Sequence, residues 1–94
     1  MSGRDPRAAE EILGRWYGRM DGEPIAVEFL PDGRLAVVIL AEGRRQIIRL
    51  TYSIRGGQIL TNQVSAERAE ATSFSVEGEK LLLIYGQRRV RLGR

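Results

Sequence analysis

The chain has no cysteine and no histidine, a single tryptophan, a single lysine and three prolines in 94 residues. Without cysteine there is neither a disulfide framework nor a thiolate metal site, so the fold must be held by packing alone. Without histidine the chain also lacks the commonest metal ligand and the side chain that most often moves protons near neutral pH. These two absences weigh against an enzyme. No apolar run approaches the roughly 18 residues of a membrane helix, so no membrane partner is expected. Residues 1–13 lack the apolar core of a secretory leader. The expected compartment is the cytoplasm, a secreted chain whose leader has been removed being the alternative.

What is present describes a small folded domain. A hydrophobic share of 43% is too high for disorder, and a chain of this length has material for one core. The net charge of +3 rests on arginine, with Lys80 as the one lysine. That excess is modest for a dedicated nucleic-acid binder.

One helix is predicted. Asp5 is its cap, Pro6 suits a first helical turn, and Ala9, Ile12 and Leu13 share a face before Gly14 ends it. Beyond it, glycine recurs at short intervals, which predicts short strands joined by tight turns. The strands fall at Arg15–Met20, Ile25–Leu30, Arg34–Ala41, Arg45–Arg55, Gln58–Asn62, Ala69–Val76, Lys80–Tyr85 and Arg88–Leu92. Pro31-Asp32-Gly33 suits a type I turn with a glycine bulge, and Gly56-Gly57 suits a primed two-residue turn. The segment 64–68 lacks glycine, and a helical turn capped by Ser65 is predicted there. The fold class that follows is all-β: an eight-stranded antiparallel meander closed into a barrel, with a short N-terminal helix. Residues 1–94 form one domain, 1–13 being the arm and helix and 14–94 the barrel.

Alternation assigns faces, because side chains two apart point the same way. Trp16 and Met20 go in while Arg15, Tyr17 and Arg19 go out. Ile25, Val27 and Phe29 face in, as do Ile48, Leu50, Tyr52 and Ile54, and Val90 and Leu92. The runs 35–40 and 81–84 are apolar on both faces, which means burial on both sides. An outer set of Val38, Leu40, Leu82 and Ile84 therefore needs a cover, either the helix or a second subunit. A short helix covers little area, so a homodimer is the expected partner.

Gly14-Arg15-Trp16 at the start of the first strand, preceded by a short helical segment, resembles the Gly-x-Trp signature of lipocalins and the wider calycin group. The resemblance implies a barrel with an indole filling its closed end and a C-terminal arginine packed across it, for which Arg89, Arg91 and Arg94 are the candidates. The chain departs from the family in being much shorter than a typical lipocalin, and it lacks the long loops that gate the cup.

Four functions follow as expectations. The first is a non-enzymatic interaction module that self-associates through the apolar outer face. The second is a carrier of a small hydrophobic ligand in the barrel interior, with Trp16, Phe29, Tyr52, Phe74 and Tyr85 as lining residues. Bulky inward side chains in a shallow barrel favour a largely filled interior. The third, weaker, is single-stranded nucleic-acid binding along a basic strip of Arg15, Arg19, Arg89 and Arg91, with Tyr17 as its one stacking ring. Enzymatic activity is the weakest. Asp21, Asp32, Glu42, Glu77 and Glu79 sit in predicted turns and Glu28 stands alone on an outer face, so no paired carboxylates are in sight. No metal ligands and no cofactor are expected.

Overall fold

The computed structural model describes residues 6–63 and 70–94. A six-residue helix, α1 (Pro6–Glu11), leads into eight strands: β1 (Gly14–Met20), β2 (Glu23–Phe29), β3 (Arg34–Ala41), β4 (Arg44–Arg55), β5 (Gln58–Gln63), β6 (Glu70–Glu77), β7 (Lys80–Tyr85) and β8 (Arg88–Gly93). They close in sequence order into an antiparallel barrel. The expected architecture is therefore present, with boundaries shifted by one or two residues. The Asp5 cap and the Ser65 turn fall outside the described residues.

Turn chemistry sets the registers. Asp21-Gly22 and Glu42-Gly43 each have positive φ at both residues, 53° and 81° in the first and 53° and 75° in the second. That is the type I′ hairpin, whose twist matches the strands it joins. At Gly33, with φ of 88°, the amide donates to Leu30 O at 3.3 Å and the Leu30 amide donates to Arg34 O at 2.9 Å, closing the bulged turn.

Most adjacent strands share four to eight paired residues, but the closing pair β1–β8 has only Tyr17↔Gly93 and Gly18↔Leu92. Gly18 makes that closure possible. A Cβ there would lie 2.5 Å from the Arg91 carbonyl oxygen and 2.6 Å from Leu92 Cδ2, so any side chain would push the first and last strands apart.

The core is filled unevenly. Buried side chains come from β1 (Trp16), β2 (Ile25, Val27, Phe29), β3 (Leu35), β5 (Ile59), β7 (Leu81) and β8 (Val90, Leu92), with Ile12 sealing the end beside the helix. β4 and β6 contribute none, although β6 alternates throughout and β4 alternates from Ile47 on. Their inward residues Leu50, Tyr52, Ile54, Phe74 and Val76 are only partly buried and pack against the rest.

The helix closes the barrel end and does not lie on its wall. Ile12 is fully buried and Leu13 packs against the core, while Leu40 and Ile84 stay exposed. Of the two covers considered for the outer apolar set, the helix is ruled out by position. The set itself is also split: in an eight-stranded ring β3 and β7 are four strands apart, so Val38 and Leu40 face away from Leu82 and Ile84. A single two-fold contact can cover one pair and not both.

Candidate functional site

The closed end is built around Trp16. Its indole Nε1 donates to the Ile12 carbonyl at 2.8 Å, and the Arg94 guanidinium lies over its ring, 4.0 Å from the centroid. Arg94 Nη1 donates to Leu13 O at 2.9 Å and its Nη2 to Glu11 O. Three successive carbonyls at and just after the end of α1 thus accept from two side chains, and Gly14, with φ of 106°, starts β1. Arg94 takes the place the resemblance offered to three arginines, and Arg89 and Arg91 point outward.

No match to a protein-family model was found, and no curated protein matches either. A solved structure does: a lipocalin lipoprotein affecting virulence in Streptococcus pneumoniae superposes with a TM-score of 0.68 at 15% identity, over 88% of this chain and 91% of that chain. The fold is lipocalin-like. Within that fold Trp16 and Phe29, expected to touch a ligand, are both buried at the sealed end.

Tyr52 is committed in part. Its hydroxyl donates to Leu30 O at 2.7 Å and its ring meets Phe29 edge-on, 5.1 Å between centroids at 80°. Burial, with a smaller contribution from Asp32, pushes its phenol above the ordinary tyrosine range. Phe74 is half-buried on the inner face of β6, and Tyr85 is exposed at the end of β7.

The inner wall of β5 and β6 holds residues the sequence reading passed over. The pairings Tyr52↔Thr61 and Thr61↔Glu70 make one row across three strands, with Leu50↔Gln63 and Ile59↔Thr72 on either side. Thr61, Gln63, Glu70 and Thr72 are therefore inward-facing and half-buried. Among the described residues no buried side-chain polar atom lacks a partner, so these groups are paired or reached by water. The signal was available in their phase: counting back in twos from Phe74 reaches Thr72 and Glu70.

Two outer surfaces complete the inventory. Across β2–β4 runs a groove of about 980 Å³ lined by Glu28, Arg34, Ala36, Val38, Ile47 and Arg49, among others. Val38 pairs with Ile47 there, and Leu40 and Ile47 are each 48% exposed. Sequence reading missed Ile47 because its neighbour Ile48 satisfied the inward pattern. On the other side, pairing of β1 with β8 puts the outward residues Tyr17 and Arg19 on the strand next to the one that carries Arg89 and Arg91. Arg15 is held by Glu28 at 3.3 Å, and Arg88 by Asp21 at 2.8 Å. Among the described residues no group of three or more carboxylates is placed to hold a metal ion, and no helix is long and apolar enough to cross a membrane.

Proposed function

We propose that the protein is a non-enzymatic binding barrel whose ligand site is the inner wall of β4–β6. One observation carries this reading: β4 and β6 direct Leu50, Tyr52, Ile54, Phe74 and Val76 inward, yet none of these is fully buried, while the wall formed by β1, β2 and β8 is sealed. Half-buried apolar side chains inside a closed barrel are surface that a small apolar molecule can cover, gaining about 25 cal/mol per Å² removed from water. The Thr61–Glu70 row gives such a molecule polar neighbours on one side, so the fitting ligand is an amphiphile and not a pure hydrocarbon. The lipocalin lipoprotein that shares this fold supports a barrel built to bind.

A thermal-shift series with fatty acids, fatty alcohols and retinoids tests this. A ligand at a hundred times its Kd stabilises by about 2.7 kcal/mol, a rise of roughly 10 °C or more in Tm for a domain this small. Phe74→Asp should abolish that shift. No stabilisation by any member of the series overturns the reading.

A second reading is self-association through the outer face of β3 and β4, favoured by the exposure of Leu40 and Ile47 beside the β2–β4 groove. Sedimentation equilibrium tests it: a dimer that dissociates in Ile47→Asp supports this reading, and a monomer at high concentration removes it.

A further inference from the structure

We propose that the outer face of β7, β8 and β1 is a docking surface for an anionic lipid membrane. The strand registers put aliphatic and cationic side chains in adjoining rows: Leu82 is paired with Arg91 and Ile84 with Arg89. The β1–β8 pairing ends at Gly18↔Leu92, and Arg19 and Arg91 are the next residues of the two strands beyond it. Tyr17, 52% exposed, and Ile84, 36% exposed, flank the arginines. Apart from Gly93, the outward residues of these three strands from Lys80 to Arg19 are basic, aliphatic or aromatic.

The carboxylates around this face are few or engaged. Glu28 is held by Arg15, and Asp21 is held by Arg88. Glu77, opposite Lys80 at one end, and Glu79 in the turn that precedes Lys80 are the acids at that border. Two shallow hollows indent the face: one of about 270 Å³ has Leu82, Lys80 and Arg91 with Glu77 on its β6 side, and one of about 250 Å³ has Arg19, Arg88 and Arg89 with Asp21, the carboxylate Arg88 holds.

The aliphatic row decides between anionic partners. A single-stranded nucleic acid is held by backbone-tracking charge and stacking rings, and only Tyr17 is a ring here. Leu82 and Ile84 give a nucleic acid nothing, whereas at a bilayer they enter the acyl boundary while the arginine stems lie along it and their heads reach lipid phosphates. The strip becomes visible as a lipid surface only once the barrel sets β7 beside β8 and β8 beside β1; among the described residues the one helix has six residues.

The test is co-flotation of the full chain with phosphatidylcholine vesicles with and without phosphatidylglycerol. We expect flotation only with the anionic lipid, weakening as salt rises. Each arginine near the surface contributes about fivefold in partitioning, so Arg19→Gln/Arg89→Gln/Arg91→Gln should lose about a hundredfold. Leu82→Ser/Ile84→Ser should also weaken flotation at unchanged charge, while Arg45→Gln/Arg49→Gln on the far wall should leave it unchanged. The salt series on the unaltered protein tests the charge component without any variant. Absence of flotation, indifference to the triple substitution, or equal loss from the Arg45/Arg49 variant overturns the proposal. So does single-stranded DNA binding that exceeds vesicle binding and ignores the Leu82/Ile84 variant. None of these outcomes depends on the interior site being occupied.

Discussion

Arg94, just after β8, lies over the ring of Trp16 and bonds the carbonyls of Glu11 and Leu13, so the α1–β1 junction and the residue following the last strand are tied at one point. Three kinds of interaction meet in that side chain: a cation over an indole face, charge-assisted hydrogen bonds to a helix end, and closure of the barrel floor. Its own amide also donates to Glu79 O at 3.1 Å, which joins the β6–β7 turn to the same knot.

Arg94→Ala should therefore destabilise more than an ordinary surface change. Cation–π contacts of an exposed cation such as Arg94 contribute about 0.5–1 kcal/mol, and hydrogen bonds to charged groups about 1.5–3 kcal/mol. A loss of about 2 kcal/mol is expected in urea denaturation. Arg94→Lys should recover less than half of it, because an ammonium cannot stack flat on the ring while reaching two carbonyls. An Arg94→Ala variant as stable as the parent would show the tie to be inert.

Gly18→Ala probes the seam. The added methyl would meet the Arg91 carbonyl, which is backbone and cannot swing away as a side chain end would. Overpacking of this kind costs about 1–3 kcal/mol, and with only two residue pairs closing β1 on β8 the strain should appear locally. Hydrogen exchange should quicken at Tyr17–Gly18 and Leu92–Gly93 before it does in the β2–β3 hairpin. Uniform protection across both regions would place the cost elsewhere.

The architecture was legible because two periodicities coincide in this chain. Glycine spacing marked every described hairpin turn, and inward positions such as Ile25, Val27 and Phe29 followed strict alternation. Two features were not legible. Arg94 could not be separated from Arg89 and Arg91, since all lie near the C-terminus and only the register of β8 turns the latter two outward. Nor could Val38 and Leu40 be separated from Leu82 and Ile84: a doubly apolar strand reports that both faces need cover, and only ring order shows that the two faces point in opposite directions. The polar inner wall was missed for a third reason. Thr61, Glu70 and Thr72 look like ordinary solvent-facing strand residues until their phase is counted from Phe74.

Glu42 is a position where the local sequence and the backbone disagree. Its φ of 53° lies in the left-handed region, which glycine and asparagine tolerate and glutamate does not. Asp21 adopts the same angle but is held by Arg88, whereas no bond to Glu42 exists among the described residues. Glu42→Asn should stabilise by about 0.5–1 kcal/mol, seen as a Tm rise of a few degrees. The matched change Asp21→Asn should gain less, because it surrenders an ion pair.

Tyr52 supplies a pH dependence. Burial first and Asp32 second raise its phenol above the usual value near 10, so the folded state holds its proton more tightly than the unfolded chain does. The stabilisation is therefore complete below the unfolded phenol's pKa and is lost as pH rises through the higher folded value. In Tyr52→Phe the hydrogen bond to Leu30 O is absent at every pH, which costs about 1 kcal/mol near neutrality. The alkaline decline should also flatten, since the group that titrates is gone. Urea midpoints measured from pH 7 to pH 11 for both proteins should converge as pH rises; parallel curves would show that the phenol ionises equally well in both states.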